Sequence, residues 1–223
     1  MHLDGIAGTP KDARARTGAG RRETVAPSCY RITVLATARP RLTYDDYCRI
    51  EAESTVKHEY WDGQAWAMAG GSREHAAICA NILGLLSAQL RGSACQAHTS
   101  DLRIRVQATG LATYPDVSVI CGHAELDPED RRGHAVTNPT LLVEVLSPST
   151  EEYDRGEKLA QYKQIASVRE VVLVTQETHF VEVWRRGDDD TWTRTEHRDG
   201  NIVLTSIGCE LPTSDVYRDP LSA

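Results

Sequence analysis

The sequence predicts an α/β fold of the α+β kind, in which helices flank a central mixed β-sheet. The first observation is the order of the periodic segments, which read helix, strand, strand, strand, helix, strand along the middle of the chain. The second is a pair of hairpin patterns, one preceding this series with an N-terminal helix and one following it. The last helix and strand of the series should form a right-handed crossover.

A first helix is predicted from Thr43 to about residue 53. Thr43 is a favourable N-cap, and Asp46 lies three residues later, as in a capping box. Residues 57–68 (KHEYWDGQAWAM) then contain two short alternating runs joined by Asp62-Gly63. Because this dipeptide accepts the positive φ angles of a tight turn, the segment is predicted to be a β-hairpin.

A second helix is predicted after Gly70-Gly71. Ser72 can cap it, and the helix should end before Gly92. His75 falls in its first turn and on its apolar face. That buried face is expected to contain Ile78, Ile82, Leu85, Leu86 and Leu90.

Three strands are predicted at residues 101–106, 115–120 and 141–146. The third is apolar throughout except for Glu144, and Pro148 stops it. The remaining pattern predicts a helix at about 154–166, a strand at 171–175, and a hairpin formed by residues 180–186 and 191–197.

Composition indicates one globular domain, which we assign to residues 39–217. Hydrophobic residues make up 40% and charged residues 26% of the 223-residue chain, as in ordinary soluble proteins. Residues 1–38 are rich in Gly, Ala, Arg, Thr and Pro, so we expect a disordered basic leader there. No apolar run of 18 residues and no signal peptide is present, which predicts no membrane span and a cytoplasmic location.

Charge is distributed unevenly along the chain. Residues 1–41 contain eight Lys or Arg and three Asp or Glu, whereas the other 182 residues contain 17 and 29. An acidic body argues against broad, charge-driven binding of nucleic acid. It does not exclude a nuclease, because a bound cation cancels part of a metal site's negative charge.

Six cysteines are spread through the chain without a CxxC pair, so we expect free and mostly buried thiols. Two spacings leave a structural zinc site open as a lesser alternative. Cys95 lies three residues before His98, and His75 lies four residues before Cys79 on the second predicted helix. A structural zinc site would usually gather four ligands.

Two acidic residues stand out against their surroundings. Glu144 lies inside an apolar strand, where an ionised carboxylate is costly unless it is paired or binds a metal. Asp116 follows Tyr114-Pro115 and opens the preceding strand. Carboxylates on neighbouring strands can share a hard cation such as Mg²⁺. The alternatives are a turn or cap residue for Asp116 and a buried salt bridge to an Arg for Glu144.

A set of segments between Leu42 and about Pro212 forms one longer pattern, which comprises 58–63, 72–75, 114–117 and 143–149, followed by Asp154, Lys158 and Tyr162. In these segments the sequence resembles the Uma-type family of putative restriction endonucleases, within the PD-(D/E)XK nuclease superfamily. The resemblance implies a restriction-endonuclease-like core. The chain departs from the family after the lysine helix, where Ser167-Val168 replaces a Gly-Val turn.

The resemblance also implies roles for individual residues. Asp116 and Glu144 would be the metal-binding carboxylates, with the Val145 carbonyl as a third oxygen and Mg²⁺ or Mn²⁺ as the metal. Leu146 stands at the usual lysine position, and the lysine is moved to the next helix as Lys158. The alternative for Lys158 is a solvated helix lysine.

Two further positions match the family. Glu59 would hold a metal-bound water or a second cation, and His75 would be a ligand or general base. Their alternatives are a surface strand residue for Glu59 and a core or capping histidine for His75. Asp101, at the start of its own strand, is a weaker candidate.

Together these features predict a metal-dependent endonuclease acting on nucleic acid, with DNA as the expected substrate. Two other hypotheses stay open at this level. One is a catalytically silent protein that keeps the fold for binding or assembly. The other is a metal-dependent hydrolase of a different phosphoester. A basic groove beside the site would favour a nuclease over the last.

We expect the chain to form a homodimer, because cutting both strands of a duplex needs two single-site domains and two-fold pairing is the commonest assembly. Light scattering should give twice the chain mass of 24.6 kDa. The mass of one chain across working concentrations would contradict this.

Overall fold

The computed structural model describes residues 41–68, 70–219 and 221. The predicted leader at residues 1–38, and Cys29 with it, lies outside the described residues. Four helices are α1 (Tyr44–Glu53), α2 (Arg73–Gln89), α3 (Glu151–Tyr153) and α4 (Leu159–Tyr162), with a π-helical turn over Asp154–Lys158 between the last two. A short helix, α5 (Thr213–Val216), follows the last strand.

The strands form three sheets within the described residues. In chain order they are β1 (His58–Trp61), β2 (Gln64–Ala67), β3 (Cys95–Thr99), β4 (Arg103–Val106), β5 (Leu111–Thr113), β6 (Val117–Cys121), β7 (Ala135–Val136), β8 (Leu141–Leu146), β9 (Glu170–Thr175), β10 (Val181–Arg186), β11 (Trp192–His197), β12 (Asn201–Leu204) and β13 (Cys209–Pro212). The largest sheet has the order β11-β10-β9-β8-β6-β3, and a second has the order β2-β1-β5-β4-β7. Strands β12 and β13 pair with each other.

The predicted mixed sheet with flanking helices is confirmed. Strands β8 and β9 are parallel, and the helical segment between them crosses from one to the other. All other neighbours in this six-stranded sheet are antiparallel. The two predicted hairpins are present as β1-β2 and β10-β11.

Short-range sequence patterns correctly predict where α1 and α2 begin and where the first hairpin turns. Thr43 and Asp46 form the reciprocal capping box of α1, and the Ser72 hydroxyl accepts a hydrogen bond from the His75 amide at the start of α2. Asp62 and Gly63 adopt φ angles of 48° and 75° in the first hairpin. These contacts lie within three residues of one another, which is why the sequence alone predicts them.

The predicted strand and helix limits differ from the structure by a few residues. The strand expected at 101–106 is β4, and that expected at 115–120 is β6, so Asp101 and Asp116 precede their strands. The helix expected at 154–166 begins at Glu151 and contains the π-helical turn. Strands β3, β5, β7, β12 and β13 were not predicted, because they are short and depend on partners far away in the chain.

Strand β8 is buried on both faces and divides the core. Val143 and Val145 pack with α2, whose Ile78, Ile82, Leu86 and Leu90 are all buried. Leu142 and Leu146 point to the opposite face, where Leu159 and Tyr162 pack. Because side chains alternate along a strand, Glu144 faces the second side, toward α4 and the second sheet.

The prediction that the cysteines are free thiols is wrong for two of them. Cys95 and Cys121 are direct cross-strand partners of β3 and β6 and form a disulfide. Their separation of 26 residues gives no sign of this pairing, which follows from strand register. Among the described residues Cys48, Cys79 and Cys209 are free.

In the described part of the chain, no helix has both the length and the hydrophobicity that crossing a bilayer requires.

Two glycine substitutions should shift stability in opposite directions. Gly63→Ala places a Cβ at φ 75° and 2.7 Å from the Arg41 Cβ, so it should destabilise the protein by about 1–2 kcal/mol. Gly84→Ala lies in α2 with open space around the new atom and should stabilise by about 0.5–1 kcal/mol. Urea unfolding of both variants tests this, and midpoint shifts of equal sign would contradict it.

Candidate active site

A buried lysine joins three structural elements at one point. Lys158 is 4% exposed, and its Nζ lies 3.0 Å from Glu59 Oε1 and 3.0 Å from Glu144 Oε1. Asp154 Oδ1 lies 3.5 Å away, one turn earlier in the same helical segment. The alternatives of a solvated Lys158 and a surface Glu59 are therefore wrong, since Glu59 is also only 4% exposed.

Hydrogen bonds hold the two strand carboxylates in place. The Tyr162 hydroxyl donates to Glu144 Oε1, and the Thr113 hydroxyl donates to Glu59 Oε1. Tyr162 follows Lys158 by four residues, so both side chains leave the helical segment on the same side. Glu144 pairs with a lysine and a tyrosine, and not with an arginine as the alternative reading supposed.

The charges in this cluster do not balance. Three buried carboxylates surround one ammonium group, so burial, together with the nearby Asp116 and Asp154, holds the pKa of Glu144 well above its usual range despite Lys158. Burial alone would lower the pKa of Lys158, but Glu144 and its other neighbours outweigh it and hold that pKa well above normal. The carboxylates therefore favour the protonated form of Lys158, and in formal charge they outnumber it three to one.

Asp116 immediately precedes β6, the antiparallel neighbour of the strand that contains Glu144. Its Oδ2 accepts a hydrogen bond of 2.7 Å from the Val145 amide and lies 3.2 Å from His75 Nε2. The side-chain hydrogen bond and the charge of Asp116 raise the pKa of His75 above its ordinary value, although burial opposes this. His75 thus lies in the first turn of α2 and contacts the carboxylate that precedes β6.

All six residues predicted for the site line one cavity of about 510 Å³. They are Glu59, His75, Asp116, Glu144, Val145 and Lys158. Asp101 is not among them, because it pairs with Lys57 on the surface and its side chain is 81% exposed. The weaker candidate therefore lies apart from the others.

The donors in this cavity fit a hard divalent cation. The contacts of Glu144 engage Oε1, and those of Asp116 engage Oδ2. Within the described residues, the second oxygen of each carboxylate has no hydrogen bond or ion pair. Free carboxylate oxygens in a site with surplus negative charge are the ligands that Mg²⁺ and Mn²⁺ prefer.

Sequence reasoning missed three residues at the site, which are Trp66, Thr113 and Tyr153. Tyr153 lines the cavity, packs edge-on against Trp66, and has a buried hydroxyl with no hydrogen-bond partner in the described part. Thr113 supports Glu59. Neither aromatic nor threonine residues carry a local signal of function, so only their position in the fold identifies them.

Comparisons with known proteins agree with this architecture. The model of the family Uma2, described as "Putative restriction endonuclease", matches residues 44–213. Two uncharacterized proteins of Synechocystis sp. (strain PCC 6803) are similar in sequence. The protein slr1290 is 37% identical over 181 residues, covering 80% of this chain and 93% of its own length. The protein sll1609 is 32% identical over 155 residues, covering 70% and 86%.

A solved structure has a similar fold. The crystal structure of a putative nuclease belonging to DUF820 from Anabaena variabilis superposes with a TM-score of 0.63. It covers 79% of this chain and 97% of that one, at 18% identity, which is a similarity of fold.

Replacing the buried Lys158 should be far more costly than replacing Lys57, whose side chain is 38% exposed. Lys158→Met leaves three buried carboxylates without a cation and should destabilise the protein by about 3–5 kcal/mol. Lys57→Met removes a surface pair and should cost about 1 kcal/mol or less. Chemical denaturation at neutral pH measures both, and comparable losses would show that the buried cluster does not stabilise the fold.

Proposed function

Because this chain belongs to the Uma2 family of putative restriction endonucleases, we propose that it is a metal-dependent nuclease that hydrolyses phosphodiester bonds, with DNA as substrate. We further propose that it acts in the cytoplasm as a homodimer. The single observation that best supports the activity is the convergence of Asp116, Glu144 and Lys158 on one cavity. These residues come from the start of β6, the middle of β8 and the following helical segment.

Asp116 and Glu144 would hold the divalent cation, Mg²⁺ or Mn²⁺, together with the carbonyl oxygen of Val145. When bound, such a cation polarises a phosphoryl oxygen and makes water a stronger nucleophile at neutral pH. The free oxygens of both carboxylates and the excess negative charge of the cluster support this assignment.

Lys158 supplies the positive charge that a phosphodiester needs as charge develops on its oxygens. Glu59, Glu144 and Asp154 keep the lysine protonated and fix its position, since each lies within 3.5 Å of Nζ. The buried setting strengthens this interaction, because little water is present to screen it.

The proposed reaction also needs a general base, which accepts a proton from the attacking water. His75 lines the same cavity and contacts Asp116, which orients its ring. An imidazole oriented by a carboxylate is suited to act as a general base. Glu59 is the second candidate, because it also lines the cavity and its position is fixed by Thr113.

A catalytically silent protein that uses the fold for binding or assembly is the second candidate. The acidic body of the chain favours it, because residues 42–223 contain 29 acidic and 17 basic residues. This hypothesis predicts neither metal uptake at the cavity nor cleavage.

Substitutions of the carboxylates and of the lysine should affect metal binding and cleavage differently. Mn²⁺ at about 100 times its dissociation constant should stabilise the native protein by about 2.7 kcal/mol, raising its melting temperature. Asp116→Asn and Glu144→Gln should each abolish this rise and the nicking of supercoiled plasmid with Mg²⁺ or Mn²⁺. Lys158→Met should keep the metal-induced rise but lose cleavage, because it removes the phosphate-binding charge and no metal ligand.

Asp101→Asn is the matched control, because Asp101 is a carboxylate outside the cavity. It should behave like the native protein, and EDTA should stop cleavage in both. If calorimetric titration finds that the native protein takes up no Mn²⁺, the catalytic proposal fails and the silent binding protein becomes the better account.

A further inference from the structure

A second group of metal-binding side chains shares His75 and Asp116 with the cavity described above and adds Cys79. His75, Cys79 and Asp116 each offer one donor atom, and these three atoms lie within 4.8 Å of one another. His75 Nδ1 is 3.5 Å from Cys79 Sγ, and His75 Nε2 is 3.2 Å from Asp116 Oδ2. The nuclease mechanism proposed above gives Cys79 no role.

The fold brings these residues together through two elements. His75 and Cys79 are four residues apart in α2, so their side chains lie on one face of the helix. That face packs against the sheet where Asp116 precedes β6. The three residues also line a cavity of about 650 Å³ that includes Thr99 and Ser100, which leaves room for water beside them.

The donor chemistry differs from that of the neighbouring carboxylate site. Mg²⁺ takes oxygen ligands and avoids sulfur, whereas Zn²⁺ binds thiolate, imidazole and carboxylate together. Tetrahedral bonds of about 2.0–2.3 Å place ligand atoms roughly 3.3–3.8 Å apart. With one donor atom from each residue, the three atoms lie within 4.8 Å of one another, so no pair exceeds the upper end of that spacing by more than about 1 Å.

We propose that His75, Cys79 and Asp116 form a binding site for zinc, with a fourth position open to water, and that zinc bound there inhibits the nuclease. Inhibition follows because Asp116 belongs to both groups of ligands, so zinc withdraws it from the Mg²⁺ or Mn²⁺ site. The inhibition rests on the proposed function, whereas zinc binding does not.

Cobalt is the probe for this site, because Co²⁺ takes the same ligands as Zn²⁺ and a thiolate ligand gives a charge-transfer absorption band. Titration of Co²⁺ into the native chain without reductant, which keeps the Cys95–Cys121 disulfide closed, should produce the band. Cys79→Ser should lose it. Cys209→Ser removes a different free thiol, which is buried, and should keep the band.

The absence of the band in the native protein, or its persistence in Cys79→Ser, would overturn the site. Cys79→Ala provides a second variant, and unfolding curves that match the native protein show that either variant is folded. A lost band in both folded variants supports the site.

Inhibition needs a separate measurement. Zn²⁺ should inhibit Mn²⁺-dependent cleavage by the native protein at a concentration at least about tenfold lower than for Cys79→Ser, since weakening a metal site commonly costs 10–100-fold in affinity. Equal sensitivity would overturn the inhibitory role. If the native protein does not cleave at all, the proposed function fails, and the cobalt band still decides the zinc site.

Discussion

The ammonium group of Lys158 is the interaction on which the site depends. It ties the helical segment between β8 and β9 to Glu144 in one sheet and to Glu59 in the other. Burying these carboxylates without a cation would cost about 3–5 kcal/mol of stability. The lysine therefore stabilises the junction of the two sheets, and in the proposed function the same group would provide a fixed positive charge for an anionic substrate.

Asp116, like Lys158, contacts more than one part of the site. It accepts a hydrogen bond from the β8 backbone, contacts His75, and lines both cavities that meet at the start of β6. It shares one cavity with the carboxylate of Glu144, and it also lies close to the nitrogen and sulfur of His75 and Cys79. In the two proposals above, the cation bound to Asp116 would decide whether Lys158 can act in catalysis. Mg²⁺ or Mn²⁺ would permit cleavage, and Zn²⁺ would inhibit it.

Sequence patterns that involve residues close together in the chain predicted much of the fold. The capping box at Thr43, the Asp62-Gly63 turn and the apolar stripe of α2 involve residues within a turn or two of one another, and each was confirmed. The disulfide was not foreseen, and neither were the five short strands. They depend on the register between segments far apart in the chain, such as Cys95 opposite Cys121.

The sequence by itself determined which residues were chemically out of place: a glutamate within an apolar strand and an aspartate after a proline at a strand's start. It also placed Lys158 four residues before Tyr162. Only the tertiary structure decided that Glu59 is buried beside that lysine, that Asp101 lies apart, and that Cys79 joins His75. The reason is physical: residue type and spacing report local preferences, whereas burial and charge pairing depend on which strands and helices meet.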